Sequence, residues 1–214
     1  MAAYGNLIIV SGPSGAGKSA ISAAVLQRLT DISFSVSHTT RPPRGSERDG
    51  VEYHFVTREQ FAALREAGEF LEWAEVYGNL YGTSKGFIDE TRRRGTDVLL
   101  DVDVQGARSI RQQCSDALLV FILPPSHTVL RTRLERRQLD KEYVIEQRLR
   151  IACREIRAYS EYDYLIVNDD LERSVAELCA VALAARCRRE ARAQAAAAVL
   201  VTFGGVNAED PGQH

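Results

Sequence analysis

The fold is decided by the stretch Gly12-Pro13-Ser14-Gly15-Ala16-Gly17-Lys18-Ser19, which fits the phosphate-binding pattern G-x-x-x-x-G-K-[ST] at every position. It follows an apolar run at residues 7–10 and precedes a helical pattern over residues 18–29. Backbone N–H groups of such a loop point into one concavity at a helix N-terminus, where the helix dipole favours phosphate oxygens. The order strand, loop and helix therefore predicts a nucleoside triphosphate site. The alternative is a glycine-rich turn that ends in Lys-Ser by chance.

Three side chains around this loop are predicted to act on the phosphates and their metal ion. Lys18 is expected to reach the β- and γ-phosphates, and Ser19 to ligate Mg²⁺. Asp101 ends the apolar run at residues 98–100 and is the carboxylate expected to hold the same ion through water. The predicted cofactor is therefore Mg²⁺.

The composition limits the class of protein. The chain has 214 residues, 45% of them apolar, which suits one large domain or a core with a small insertion. A net charge of −2 lacks the basic footprint of a protein that coats nucleic acid, so no nucleic-acid partner is expected and a small phosphorylated one fits better. The apolar stretch 195–203 is too short to span a bilayer, so no membrane partner is expected. A homo-oligomer stays open.

The cysteines and the N-terminus indicate a compartment. Four cysteines show neither C-x-x-C pairing nor zinc-ligand spacing, and the N-terminus lacks a basic segment followed by an apolar signal core. These features predict a reduced, cytoplasmic protein.

Strand-like runs alternate with helical patterns along most of the chain. The runs lie at residues 7–10, 98–100, 118–123 and 164–167. Helical patterns cover residues 18–29, 85–94, 105–113, 126–136, 143–158 and from 171 onward. This alternation is typical of an α/β fold, a P-loop NTPase core whose parallel sheet is flanked by helices.

The pattern changes in one inserted region. Period-two alternation at residues 34–37 and 52–56 is followed by a helix from Thr57, whose segment Thr57-Arg58-Glu59-Gln60 has the form of a capping box, and by further strand-like runs. We therefore expect a mixed-sheet subdomain at residues 33–83. The predicted domain, residues 5–185, has its core at 5–32, 84–130 and 151–185, and residues 186–214 are expected to form a helical extension and a flexible tail.

A second insertion, at about 131–150, is crowded with basic side chains. One interpretation is a small helical lid whose cations surround a transferring phosphoryl group. The alternative is a solvated helix surface on which the basic residues pair with Glu135, Glu142 and Glu146.

The first insertion offers chemistry for a second substrate. Arg41 and Arg44 flank a proline pair that stiffens the loop, and two guanidinium groups held this way suit a dianionic phosphate. Tyr53 and Tyr81 add phenolic O–H donors, and Glu72 lies in a stretch that otherwise resembles a buried strand. An ionised carboxylate can accept both the N1–H and the 2-amino group of guanine, whereas adenine presents an acceptor at N1. Each residue also has a plain alternative, as a strand aromatic, a solvent-facing glutamate or a loop charge.

Taken together, these segments resemble guanylate kinase, particularly the bacterial enzymes. The resemblance runs in order from about residue 5 to residue 185 and includes Phe70-Leu71-Glu72-Trp73-Ala74, Gly78-Asn79-Leu80-Tyr81-Gly82-Thr83, Leu100-Asp101-Val102-Asp103-Val104-Gln105-Gly106 and Tyr164-Leu165-Ile166-Val167-Asn168. It implies the reaction ATP + GMP ⇌ ADP + GDP with Mg²⁺, in purine nucleotide metabolism.

The resemblance also implies roles for individual residues. The GMP base would be contacted by Ser37, Glu72 and Thr83, with Asp103 at the guanine side, and the GMP phosphate by Arg41, Arg44, Tyr53 and Tyr81. ATP would be bound by Asn168, beside the adenine, and by Gly12, Pro13, Ser14, Gly15, Ala16, Gly17, Lys18 and Ser19. The catalytic cations would be Lys18, Arg41, Arg133, Arg137 and Arg148.

The lid departs from the family pattern. Relatives usually carry a Gly-Arg-Gly-type stretch where this chain reads Arg136-Arg137-Gln138-Leu139. Two rival classes are a catalytically silent guanylate-kinase-like module, which typically has a degraded phosphate loop, and a kinase for a sugar phosphate, which would give a base-reading carboxylate nothing to bind. The intact loop argues against the first, and the retained Ser37, Glu72 and Thr83 argue against the second.

Overall fold

A computed structural model describes residues 4–76, 78–136 and 142–203 of the chain. The strands are β1 Leu7–Ser11, β2 Ile32–Phe34, β3 His38–Thr39, β4 His54–Phe55, β5 Phe70–Val76, β6 Asn79–Ser84, β7 Asp97–Asp101, β8 Leu118–Leu123 and β9 Tyr164–Val167. The α-helices are α1 Lys18–Arg28, α2 Arg58–Glu66, α3 Lys85–Arg93, α4 Val104–Gln113, α5 His127–Glu135, α6 Glu142–Glu155, α7 Leu171–Arg186 and α8 Arg189–Thr202. A 3₁₀-helix, Ile156–Glu161, follows α6 directly, so the helix expected over residues 143–158 tightens in its last turn, as helix ends often do.

The larger sheet has five parallel strands in the order β2-β7-β1-β8-β9. Every residue of β1 is buried, because helices cover both faces of the sheet. Ile8 and Val10 pack with α1 and α7 on one face, whereas Leu7 and Ile9 pack with α3 and α4 on the other. This alternation follows from the two-residue period of a strand. The predicted α/β class is confirmed.

Parallel strands direct all their carboxyl ends to one edge of the sheet. The phosphate loop follows β1, Asp101 ends β7, and Asn168 follows β9 at that edge. In open α/β sheets this edge is where ligands bind. The topology therefore brings together three predicted site segments that lie far apart in the sequence.

The smaller sheet is mixed, in the order β4-β3-β6-β5. Strands β3 and β4 run parallel, and β6 runs antiparallel to both β3 and β5. Helix α2 begins with the predicted capping box, since Thr57 accepts from the Gln60 N–H and the Gln60 side chain accepts from the Thr57 N–H. Its buried Phe61 stacks on Phe70 of β5, with 4.5 Å between ring centroids.

The alternation at residues 34–37 is divided between the two sheets. β2 ends at Phe34 and pairs with β7 in the core sheet, and β3 begins four residues later in the mixed sheet. Period-two alternation indicates a strand but does not say which sheet it joins. The mixed sheet therefore starts after β2 and not at residue 33.

Helices α5 and α6 pack against each other through one apolar cluster, Leu130, Leu134, Ile145, Leu149 and Ala152. Arg131 forms ion pairs with three carboxylates across this pair of helices, Glu135, Glu142 and Glu146. For Arg131 the paired-surface interpretation is therefore correct. Residues 137–141, which include the predicted catalytic Arg137, lie outside the described residues.

The chain ends, as far as it is described, in two helices of different character. Arg186 at the end of α7 pairs with buried Asp97 of β7 at 2.7 Å, which ties α7 to the sheet. Along 189–202, α8 buries no residue. Over the described ranges, no helix is both long and apolar enough to cross a membrane.

Candidate active site

The phosphate loop has the backbone shape that its glycines allow. Gly12, Gly15 and Gly17 all have positive φ, at 137°, 88° and 102°, a region that residues with a Cβ rarely adopt. A Cβ at position 12 would also lie 2.3 Å from the carbonyl oxygen of Ile122 on β8. The loop thus runs too close to the neighbouring strand for any other residue at this position.

Lys18, the first residue of α1, folds back over the loop. Its ammonium donates to the Gly12 carbonyl at 2.7 Å and lies 3.8 Å from Asp101 Oδ1. Burial raises the pKa of the Asp101 carboxyl, and the nearby Lys18 and Ser19 side chains partly offset that rise. A hydroxyl, a carboxylate and an ammonium therefore meet beside the loop, and the two oxygen groups are of the kind that Mg²⁺ prefers.

Arg133 and Asn168 reach the loop from two other elements. Arg133 of α5 donates to the Asn168 carbonyl at 2.8 Å and to the Ala16 carbonyl at 3.3 Å. The Asn168 amide donates to the same Ala16 carbonyl at 2.7 Å, and the residue is only 5% exposed. The structure therefore brings both predicted residues to the loop, while the adenine contact expected of Asn168 stays a prediction.

The mixed sheet holds the predicted phosphate-binding side chains. Arg41 is buried, and its guanidinium lies 2.9 Å from a Glu47 carboxylate oxygen and 5.2 Å from the centre of the Tyr53 ring. Tyr53 packs edge-on against Tyr81, with ring centroids 5.8 Å apart. Arg44 is exposed, and its N–H donates to Glu47 at 2.8 Å. Glu47, which had no predicted role, thus contacts both arginines and holds their loop in shape.

Glu72 is a buried carboxylate that accepts a hydrogen bond from a hydroxyl. Thr83 on the adjacent strand donates to it at 2.6 Å, and the residue is 8% exposed. Burial raises the pKa of Glu72 to about 7, although the Thr83 hydroxyl lowers it, and the Asp103 charge adds to the rise. Asp103 itself caps α4, accepting from the Gly106 N–H at 2.7 Å. The sheet therefore presents a desolvated carboxylate whose ionisation is poised near neutral pH.

Gly106 makes room for this carboxylate. A Cβ at position 106 would lie 3.1 Å from Glu72 Oε2 and 3.2 Å from the Val102 Cβ, so the glutamate would have to move by a few tenths of an ångström. Sequence reasoning gave this close approach of Gly106 to Glu72 no attention. The sequence did offer a clue, because this glycine lies inside a predicted helix. Glycine there lowers helix stability by roughly 1 kcal/mol relative to alanine, which indicates that close packing requires it.

Two further predicted residues are half-buried, one beside the mixed sheet and one on α6. Ser37 is half-buried beside β3, and its carbonyl accepts from the His54 N–H at 2.9 Å. Arg148 is half-buried on α6. At the end of α6 the structure adds Glu155, whose pKa is raised by burial, lowered by the Lys18 charge and raised by the Asp103 charge. The site thus combines cations with three unpredicted neighbours, Glu47, Gly106 and Glu155.

The phosphate loop lies at the edge of a parallel sheet, and the inserted mixed-sheet region carries a buried arginine and a buried carboxylate. Together these features define a P-loop kinase of small phosphorylated substrates. Comparison with known proteins gives the family. The family model of guanylate kinase matches residues 4–184. The chain belongs to the guanylate kinase family.

Individual relatives agree with this assignment. A guanylate kinase of Alkalilimnicola ehrlichii is 50% identical over 186 residues, which cover 87% of this chain and 92% of that protein. A guanylate kinase of Vibrio parahaemolyticus is 51% identical over 191 residues, 88% of this chain and 92% of that protein. The crystal structure of guanylate kinase from Anaplasma phagocytophilum matches with a TM-score of 0.73 at 32% identity, covering 88% of this chain and 89% of that chain. The predicted family and enzyme class are confirmed, and the roles of single residues stay predictions.

Proposed function

We propose that this protein transfers the γ-phosphate of ATP to GMP, giving ADP and GDP, in purine nucleotide metabolism. The observation that carries the proposal is the buried Glu72–Thr83 pair, which presents a desolvated carboxylate in the same mixed-sheet region as buried Arg41. The Thr83 hydroxyl donates to one oxygen of this carboxylate, which can still accept from a ligand with adjacent donors, and guanine brings two. The family assignment supports the same substrate pair.

The donor nucleotide would bind at the phosphate loop. Backbone N–H groups of the loop would cradle its phosphates, and Lys18 would leave the Gly12 carbonyl to contact the β- and γ-phosphates. Arg133 is already placed against the loop by its contact with Ala16, so a short movement would bring its guanidinium to the phosphates.

Magnesium would be held by Ser19 directly and by Asp101 through water. The two side chains fit this ion, because both supply oxygen and both lie beside the loop lysine. When bound, Mg²⁺ neutralises charge on the β- and γ-phosphates. The pKa of Asp101 is raised by burial, so a cation beside this carboxylate favours its ionised form.

The acceptor would bind in the mixed sheet. Arg41 and Arg44 would take the GMP phosphate with the Tyr53 and Tyr81 hydroxyls, and Glu47 holds the arginine loop in shape. At the other end, the guanine N1–H and 2-amino group would donate to Glu72. Adenine, with an acceptor at N1, would leave that buried carboxylate with no donor beyond the Thr83 hydroxyl, a cost of roughly 1–3 kcal/mol or more.

Transfer between these two sites needs alignment and charge neutralisation but no general base. The second pKa of a phosphate monoester is about 6, so the attacking oxygen of GMP is already largely anionic near neutral pH. Lys18, Arg41, Arg133 and Arg148 would offset the repulsion between the two phosphates. Closure of the lid and the mixed sheet over the core would keep water from the γ-phosphate.

The test is Mg²⁺-dependent release of ADP from ATP with GMP, AMP, CMP, UMP or ribose 1,5-bisphosphate as acceptor. We expect turnover with GMP alone, and a fall in that turnover for Glu72→Gln. Glu75→Gln is the matched control, since Glu75 lies on the same strand and is exposed. Equal turnover with AMP, or nucleotide binding without any turnover, would contradict the proposal, and the second outcome would favour a silent binding module.

A further inference from the structure

The carbonyl of Ala16 is the point at which two distant parts of the chain hold the phosphate loop. Ala16 is fully buried, and its carbonyl oxygen accepts from Asn168 Nδ2 at 2.7 Å and from Arg133 Nη1 at 3.3 Å. A carbonyl oxygen only accepts, so the nitrogen of the Asn168 amide must be the atom that faces it. The orientation of this amide is therefore set by the loop.

The orientation of the Ala16 carbonyl determines where the Gly17 N–H points. The Ala16 carbonyl and the Gly17 N–H belong to one planar peptide group and point in opposite directions. This peptide turns about ψ of Ala16 and φ of Gly17, and Gly17, at a φ of 102° and without a Cβ, offers little steric resistance on its side. Two donors on the outward carbonyl hold it in the orientation that turns the Gly17 N–H into the loop, where phosphates are cradled.

Asn168 is held firmly enough to act as such a support. Its N–H donates to the Leu123 carbonyl at 2.8 Å, and its own carbonyl accepts from Arg133 at 2.8 Å. The Ser174 hydroxyl lies 3.3 Å from its Oδ1. A Cβ at position 17 would lie 2.1 Å from Asn168 Nδ2, so the glycine and the asparagine are matched to each other.

We propose that Asn168 is a positioning residue for the donor phosphates, which acts by fixing the Ala16–Gly17 peptide and not by reading the base. The inference rests on the proposed function and deepens it, since it assigns a residue to the phosphate half of the ATP site. Loss of the amide should weaken the binding of any polyphosphate by the same factor, whether or not it carries a base.

The test uses Asn168→Leu, which keeps the branched shape without charge and removes the donor. We measure binding of ATP, CTP and inorganic tripolyphosphate, each with Mg²⁺, to the full chain by calorimetry. All three affinities should fall by a common factor of about 5–10, as expected for one lost hydrogen bond, and GMP affinity should stay at the wild-type value. A merely structural role would change the melting temperature without this common factor.

Two further proteins complete the experiment. Ser22→Ala is the matched control, because Ser22 is buried on α1 and its hydroxyl has no hydrogen-bond partner among the described residues; it should bind all ligands like the wild type. If Asn168→Leu does not fold, Asn168→Ala replaces it, since alanine also removes the donor to the Ala16 carbonyl and adds no charge beside the phosphates.

Either of two results would overturn the inference. In the first, the affinity of Asn168→Leu for ATP falls relative to its affinity for CTP, while its affinity for tripolyphosphate is unchanged. That result would make Asn168 a base contact. In the second, no affinity changes. Failure of the proposed function would look different, as a wild-type protein that binds nucleotides but releases no ADP with GMP.

Discussion

The two halves of the active site are built in different ways. The donor half is a backbone loop on a parallel sheet whose central strand is wholly buried, and its contacts are mainly side chains donating to loop carbonyls. The acceptor half is a set of charged side chains on a four-stranded mixed sheet. Its buried members, Arg41 and Glu72, are 6% and 8% exposed, and each depends on a partner side chain, Glu47 or Thr83.

This difference separates two kinds of recognition. Phosphate is common to many ligands, and a concavity of N–H groups with one lysine recognises it by shape and charge. Guanine must be told from adenine, and under the proposed function a desolvated carboxylate would do so, because a wrong base would leave it with no donor beyond the Thr83 hydroxyl. Keeping this carboxylate desolvated has a cost, since burial is the first cause of the raised pKa of Glu72, about 7.

The largest effect is expected in the donor half. Lys18→Ala removes the ammonium beside the phosphates and should lower kcat about 10³-fold, the range seen when one preorganised charge-stabilising donor is lost. Steady-state kinetics measure this, with melting temperature as the check on folding. Lys85→Ala is the matched control, because Lys85 is exposed at the start of α3. Retention of wild-type turnover by Lys18→Ala would remove Lys18 from the mechanism.

A smaller loss, confined to the acceptor, is expected from Glu72→Gln. The amide keeps an acceptor for the Thr83 hydroxyl but cannot accept both guanine donors, so kcat/KM for GMP should fall about 10- to 100-fold. The KM for ATP should stay near the wild-type value. A loss shared equally by ATP and GMP would show that Glu72 supports the whole site and would erase the distinction between its halves.

The same substitution should change stability with pH. The folded-state pKa of Glu72, about 7, lies above the usual value of 4.5, so the folded protein holds this proton longer than the unfolded chain. The wild type therefore loses stability as pH rises from about 4.5 to about 7. Urea denaturation measures the free energy of unfolding of Glu72→Gln minus that of wild type. This difference should rise by up to about 3 kcal/mol from pH 5 to pH 8. A constant difference would contradict the raised pKa.

A milder change tests how closely the acceptor half is fitted. Gly106→Ala places a methyl group 3.1 Å from Glu72 Oε2, so KM for GMP should rise about 3- to 10-fold while kcat holds. Because alanine favours a helix by about 1 kcal/mol over glycine, the melting temperature should not fall. Gly86→Ala in α3 is the control, since its Cβ would come no nearer than 3.9 Å to Glu69. An unchanged KM would mean that Glu72 has room to move.

The smallest effect is expected outside both halves. A chain that stops after Arg188 loses α8, which buries no residue over 189–202, and keeps the Arg186–Asp97 ion pair. We expect kcat/KM to stay within about twofold and the melting temperature to fall by less than about 4 °C. A loss of activity in this truncated protein would give α8 a part in the site.

The donor loop was predictable from sequence because its chemistry lies in eight consecutive residues. The acceptor residues stay predictions from charge patterns and a family resemblance, and the contact of Arg41 with Glu47 was not foreseen. The Asn168 amide contacts the Ala16 carbonyl across 152 residues of sequence. Gly106 of α4 lies against the Glu72 carboxylate of β5. Such contacts depend on how elements pack, which local periodicity does not encode. Trp73 shows the same limit, since its strand resembles a buried one while the side chain is 45% exposed beneath Arg65.

The affinity for GMP at pH 6 and pH 8, measured by calorimetry on wild type and Glu72→Gln, shows whether an ionised Glu72 reads the guanine base. With a pKa of about 7, Glu72 is about 10% ionised at the lower pH and about 90% at the higher. Wild-type affinity should therefore rise about tenfold more than that of the variant, in which only the GMP phosphate titrates. Equal pH dependence in the two proteins would contradict the claim that a buried, ionised Glu72 reads the base.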